Sequence, residues 1–281
     1  MARASIALPL LLAITTGCAS DKPSRDDGVW NADMSKPADF HRAMGRTYMS
    51  QHKWGEATAH LRESLRHDPD DARTHMLLGV VYREQGLVKS AESSLLTAID
   101  LDDDLADAHS ALAILYDRIG KHKQAEQFHR EALKLDPERS DFHNNLGFSL
   151  YLRGRYLEAV SAYRAALRLG AGRRIHNNLG FCYGQMRQFS RAFREFERGG
   201  SEAEAHNNIG YVYETNGDLG RAEQSYVQAL RLDPKLGRAR ENLTQVAAKL
   251  GHPVPPVPAE PVGVGVAEAP QSANTSKEAS P

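Results

Sequence analysis

The chain of 281 residues carries 35 basic and 36 acidic side chains, and 41% of it is hydrophobic. Near neutrality, without a basic stripe interleaved with aromatics, excludes nucleic acid as a partner. Charges that alternate in sign, as in Arg62-Glu63 and from Lys123 to Glu126, read as solvated helix faces.

In chain order, the first element is a leader. Arg3 precedes an apolar run from Ile6 to Ile14, and Thr15, Thr16 and Gly17 lead to Cys18. The run is too short to cross a hydrocarbon core, which takes about 20 helical residues, so residues 1–17 read as a targeting segment that stands outside the fold. Its ending resembles a bacterial lipoprotein signal. That resemblance implies lipidation of Cys18, which becomes the first residue, and the Ala19 that follows it implies the outer membrane of a two-membraned bacterium. The alternative is an ordinary secretory leader with an incidental cysteine. Residues 18–37 then form a charged tether whose stretch from Asp21 to Pro37 reaches up to roughly 55 Å when extended.

From Gly45 onward one pattern recurs: a small residue, an aromatic or leucine three residues on, and an alanine nine residues after that. Its six copies are Gly45-Tyr48-Ala57, Gly79-Tyr82-Ala91, Ala113-Tyr116-Ala125, Gly147-Leu150-Ala159, Gly180-Tyr183-Ala192 and Gly210-Tyr213-Ala222. Successive small residues are 34, 34, 34, 33 and 30 apart, the mark of stacked copies of one supersecondary unit. Each unit reads as two helices with apolar residues near a 3.6 period. Gly86, Gly120, Gly154 and Gly217 punctuate the turn inside the unit, where a left-handed residue is needed. Asp68-Pro69, Asp136-Pro137 and Asp233-Pro234 stop the second helix, because a residue before proline is pushed out of the helical region.

These six copies resemble the tetratricopeptide repeat, and the resemblance implies an all-α superhelix of helix-turn-helix units. The repeats run over residues 38–71, 72–105, 106–139, 140–172, 173–202 and 203–236. Asp103 and Ala171 stand where proline is expected, and His129 stands where a bulky apolar residue is expected. The fifth repeat is four residues short around Gly199-Gly200, so a change of stacking is expected at 199–202. Residues 237–250 repeat only the first helix, with Arg240, Leu243 and Val246 on one face, and read as a capping helix. The Pro- and Ala-rich residues 251–281 read as a disordered tail.

No nucleophile motif, phosphate-cradling glycine loop or HExxH occurs, and the repeats leave no second domain to host a reaction. An enzyme would need an unrecognised site, and neither cofactor nor metal is expected. Six histidines form a column at one register, His41, His75, His109, His143, His176 and His206. Neighbouring members are separated by two packed helices, roughly 16 to 20 Å, and cannot share an ion that needs ligands at about 2.0 to 2.1 Å. The acidic run from Asp100 to Asp104 lacks calcium-loop spacing and reads as a helix end. Cys182 reads as a small buried hydrophobe, and no disulfide with Cys18 is expected.

HNNLGF at 143–148, HNNLGF at 176–181 and HNNIGY at 206–211 place Asn145, Asn178 and Asn208 at one register, which Asn242 continues in the capping helix. An amide offers both a donor and an acceptor and so matches a peptide unit without reading its side chain. In the resembled family this register faces the concave groove, and the row resembles the ladder with which some members grip an extended peptide. Phe148, Phe181 and Tyr211, three residues on, would line apolar pockets beside it. The alternative is that the asparagines only serve helix or inter-repeat hydrogen bonds. Ala43, Leu77 and Ala111 hold the register in the first three repeats; together with Asp107 they leave no carboxylate clamp of the chaperone-binding kind.

The combination resembles the lipoproteins of pilus and secretion machines, either a pilotin or the repeat lipoprotein of tight-adherence systems. It implies a non-enzymatic outer-membrane scaffold that binds a protein partner, an extended peptide or a secretin-type subunit, for pilus or secretin assembly. A general cell-envelope adaptor is the alternative.

Overall fold

The computed structural model describes residues 35–257. The leader, Cys18, most of the tether and the tail from residue 258 lie outside them. Among the described residues there are thirteen α-helices and no strand. They are α1 (Pro37–Ser50), α2 (Trp54–His67), α3 (Ala72–Glu84), α4 (Val88–Leu101), α5 (Ala106–Arg118), α6 (His122–Leu135), α7 (Ser140–Leu152), α8 (Tyr156–Arg168), α9 (Arg174–Gln185), α10 (Phe189–Gly199), α11 (Glu202–Thr215), α12 (Leu219–Leu232) and α13 (Gly237–Leu250). Odd-numbered helices up to α11 open a repeat and even-numbered ones close it.

Each hairpin is locked by a small residue against a large one sixteen positions later. A methyl group added at Gly45 would lie 2.6 Å from Leu61, at Gly79 2.5 Å from Leu95, at Gly147 2.8 Å from Tyr163, at Gly180 2.4 Å from Phe196 and at Gly210 2.7 Å from Tyr226. These approaches are so close that a side chain at the small position would force the large partner to shift, and the large partners are fully buried. The third repeat has Ala113 and His129 at this register. There His129, buried, donates from Nε2 to Asp117 Oδ2 at 3.1 Å. The same carboxylate accepts from His122 Nδ1 at 2.8 Å and from Ser149 Oγ at 3.0 Å. Most buried polar groups are paired; here His129 Nε2 is, while its Nδ1 is buried without a partner, and Ser149 on α7 ties this cluster to the fourth repeat.

The turn inside each repeat contains one residue in the left-handed region. Gly86, Gly120, Gly154 and Gly217 occupy it with φ of 74°, 79°, 74° and 82°, and in the first and fifth repeats His52 (56°) and Arg187 (58°) hold the same place. At the repeat ends, Asp68, Asp136 and Asp233 leave the helix in an extended conformation. Asp102 does the same at φ −148° although Asp103, not proline, follows it. The carboxylates of Asp102, Asp136 and Asp233 accept from the backbone N–H two residues on, at 3.2, 3.3 and 2.9 Å. The aspartate therefore shapes the turn, and the run from Asp100 to Asp104 is a helix end.

Two compact units divide the chain after Gly200. In the first unit the opening helix of each repeat touches the opening helix of the next, while among the described residues no closing helix touches the next closing helix. Opening helices therefore converge, and their shared face is the inner side of the stack. The division coincides with the short fifth repeat: Gly200 is extended, and Ser201 starts α11 with a capping box in which Ser201 Oγ accepts from Glu204 N at 3.2 Å and Glu204 Oε2 accepts from Ser201 N at 2.7 Å. In the second unit α13 buries Ala239, Leu243, Val246 and Ala247 against α12, with Arg240 exposed beside that face rather than within it. Gly251 ends α13 at φ 78°, and Val257, at the start of the composition-defined tail, packs on the core of this unit.

Candidate functional site

The asparagine register lies on the opening helices, and all four of its members are half-buried. In the first unit Asn178 Nδ2 donates to Asn144 Oδ1 at 3.0 Å, and Asn144 Nδ2 donates to Asn145 Oδ1 at 3.3 Å. In the second unit the same chain recurs: Asn242 Nδ2 donates to Asn207 Oδ1 at 3.0 Å and Asn207 Nδ2 to Asn208 Oδ1 at 3.3 Å. The doubled asparagine of the motifs at 143–148 and 206–211 thus has a use that the single-register reading missed. In these two motifs the first member, Asn144 or Asn207, receives the rung of the following helix, and the second member, Asn145 or Asn208, ends the chain of amides. The signal was present in the sequence, since both asparagines recur in all three motifs.

Each rung keeps unspent capacity. A primary amide has two N–H groups and a carbonyl with two lone pairs, and the inter-repeat bond takes one N–H of Asn178 or of Asn242. The structure therefore gives the register an inter-repeat role and leaves groups for a ligand. Asn177 differs: its Oδ1 is buried without a hydrogen-bond partner. A methyl group at Gly199 would lie 2.3 Å from this oxygen, so Asn177 explains why the short end of α10 carries glycine.

The aromatics that accompany the rungs are half-buried. Phe181 meets Phe196 edge-on with ring centroids 5.0 Å apart, so one side of it belongs to its own hairpin. Burial, then the nearby Glu214 carboxylate, pushes the Tyr211 hydroxyl above its ordinary pKa, so this ring presents a neutral O–H. Phe148 is half-buried on α7.

The histidine column belongs to the joints between repeats. Nε2 of His75, His109 and His143 lies 2.9 Å from the carbonyl six residues earlier, at Pro69, Asp103 and Pro137. Arg240 makes the equivalent bond to Pro234 O at 2.7 Å. His176 follows the inter-repeat turn at 169–173, which is longer than those before His75, His109 and His143, and instead pairs through Nδ1 with Glu195 at 2.8 Å. Cys182 is buried inside α9, where burial raises its thiol pKa to about 12. Among the described residues no helix is long and apolar enough to cross a membrane.

Family models for the tetratricopeptide repeat match residues 70–138, 110–174 and 203–236. The matched stretches are tetratricopeptide repeats. The thirteen helices form the corresponding all-α solenoid fold, with six repeats and a further helix. No curated protein matches the sequence. Among solved structures, a chain from the functional characterisation of Pseudomonas aeruginosa PilF is 21% identical with a TM-score of 0.60, over 75% of this chain and 98% of that one. A chain of the APC/C hetero-tetramer Cut9-Hcn1 is 19% identical with a TM-score of 0.62, over 78% of this chain and 46% of that one. YrrB, a repeat protein described as having an unusual peptide-binding site, is 18% identical with a TM-score of 0.50, over 64% and 96%. At these identities the likeness is one of fold.

Proposed function

We propose that this chain is a non-catalytic scaffold that holds an extended segment of a protein partner on its opening-helix face. It does so while tethered to the outer membrane through lipid on Cys18, in the service of pilus or secretin assembly. The observation that carries the binding part is the pair of amide chains, whose half-buried rungs keep donors and acceptors spaced one repeat apart. Asn145, Asn178, Asn208 and Asn242 would bond the peptide backbone, and Phe148, Phe181 and Tyr211 would receive apolar side chains. YrrB, with its peptide-binding site on the same architecture, supports this reading.

The leader supports the tether, because Cys18 combines a preceding apolar run with small residues at the cleavage position. The fold spans 98% of the Pseudomonas aeruginosa PilF chain, so extent as well as architecture agrees with a pilus-related assignment. A lipid anchor confines scaffold and pore subunit to one membrane plane and raises their effective concentration without a new contact.

Two experiments test the reading. Cys18→Ala should move the protein from the outer-membrane fraction to the soluble periplasm, and unchanged membrane flotation would remove the tether. Deleting the gene should leave secretin monomers but deplete detergent-resistant multimers and surface pili. Normal multimers and piliation, with a disturbed cell wall or capsule, would favour a general envelope adaptor.

A further inference from the structure

Among the described residues, the first repeat carries a cluster of possible metal ligands that no other repeat has. His41 on α1 and Glu63 and His67 on α2 bring one ligand atom each to within 4.8 Å of one another. His60, also on α2, places its Nδ1 3.0 Å from Nδ1 of His41. The rings of His41 and His67 lie parallel, with centroids 6.0 Å apart and planes 7° from each other. Glu63 turns one oxygen toward His67 Nε2, at 3.6 Å, and pairs through the other with Arg66.

The sequence shows how local this is. His60, Glu63 and His67 lie at i, i+3 and i+7 and so share one face of α2. The register of His67 is leucine in the second, third, fourth and sixth repeats, at Leu101, Leu135, Leu169 and Leu232. The register of His60 is Ser94, Phe128, Ala162, Glu195 and Ser225. His41 belongs to the histidine column, yet it meets His60 where His75, His109 and His143 hold a backbone carbonyl.

We propose that His41, Glu63 and His67 bind a zinc ion, with His60 completing a four-ligand set. Three imidazole nitrogens and one carboxylate oxygen make the donor set that borderline-soft zinc takes in tetrahedral sites. Ligands about 2.0 to 2.1 Å from a tetrahedral ion stand roughly 3.3 Å from each other. The 3.0 Å between the His41 and His60 nitrogens is near that spacing; the 4.8 Å limit within His41, Glu63 and His67 is closed by rotation of exposed and half-exposed side chains, which also brings His60 to Glu63 and His67. The ion pins α1 to α2 in the outermost described repeat. That repeat has a neighbour on one side only, the position at which a solenoid gains most from a staple.

The full chain, stripped with a chelator and dialysed, is titrated with zinc chloride by calorimetry. One equivalent should bind saturably, and bound zinc should raise the melting temperature. His67→Leu, which installs the residue of the other repeats, and Glu63→Gln should each remove the saturable site. His60→Gln should weaken it about 10- to 100-fold, and His143→Gln, a column histidine outside the cluster, should leave it unchanged. Helix content measured for each variant guards against misfolding, and Glu63→Gln remains decisive if His67→Leu fails to fold. No saturable binding by the parent chain, or binding that survives both His67→Leu and Glu63→Gln, overturns the site.

Discussion

Removing single rungs separates the joint from the binding face. Asn178→Ala deletes the 3.0 Å bond to Asn144 across two repeats. A neutral hydrogen bond contributes about 0.5–1.5 kcal/mol net. Asn144 is half-exposed, so water can take up its freed carbonyl, and the expected loss of stability is about 1 kcal/mol. Asn145 accepts only a 3.3 Å bond from its own sequence neighbour, so Asn145→Ala should cost roughly 0.5 kcal/mol. Urea unfolding followed by circular dichroism measures both. For the partner the ordering differs, because each rung offers one amide to the bound backbone. Asn145→Ala and Asn178→Ala together should weaken binding by about 2 kcal/mol, roughly 30-fold, and Asn208→Ala with Asn242→Ala should do the same in the second unit. Calorimetry with the purified partner reads this directly. A double variant that unfolds, or that binds as well as the parent, would refute the reasoning and leave the amides as joints alone.

Three further outcomes follow from the packing and the turns. Gly79→Ala should cost about 1–3 kcal/mol by overpacking against Leu95, Leu95→Ala about 2–5 kcal/mol by leaving a cavity, and the double variant less than their sum because the new methyl enters the space vacated; additive values in a urea double-mutant cycle would contradict the lock. Arg187→Gly and His52→Gly should each stabilise by up to about 1 kcal/mol, since the left-handed conformation costs a non-glycine residue about 1–2 kcal/mol and glycine gives part of that back in entropy; unchanged urea midpoints would count against strain at these turns. Burial holds the Cys182 thiol at about 12, and burial together with Glu92 holds the Tyr116 hydroxyl at about 12. Both groups stay protonated in the folded chain after the unfolded chain has lost its protons. Their contribution is present below about pH 9 and is lost as pH rises toward 12, so the urea midpoint should fall across that window, and less steeply in Cys182→Ala.

The repeat period made the architecture legible because it samples one physical requirement many times. The small residue and the alanine twelve positions later were visible in all six hairpins, whereas the large residue sixteen positions away, which the small one meets in five of them, emerged only with the coordinates. The exception was legible only as a departure: His129 stands out in the sequence, but its partner Asp117 lies 12 residues back on the paired helix, and Ser149, which donates to the same carboxylate, lies 32 residues beyond Asp117 and meets it only through stacking. Proline marked three helix ends, whereas the aspartate before it does the shaping, which is why Asp102 ends α4 without one. The asparagine row was found as a register, but its hydrogen bonds were not, because they join adjacent residues and successive repeats together. The cluster at His41 escaped for a related reason. A search along the column compares residues a repeat apart, while its ligands come from two antiparallel helices of one repeat.

The HNN motif divides three tasks among three consecutive residues. Successive positions on a helix point about 100° apart, so His143 reaches back to the turn before it, Asn144 receives the next repeat, and Asn145 ends the amide chain. If histidine and asparagine served one purpose, they would appear together along the array. They do not: the triplets read His41-Arg42-Ala43, His75-Met76-Leu77 and His109-Ser110-Ala111 in the first three repeats, and Arg240-Glu241-Asn242 in α13. Histidine is kept where the amide is absent, and the amide is kept where histidine has given way to arginine, which still holds the carbonyl of Pro234. The joint therefore stands without the amides in the first three repeats. An amide row confined to the later repeats and to α13 needs a cause other than stacking, and a bound backbone supplies one.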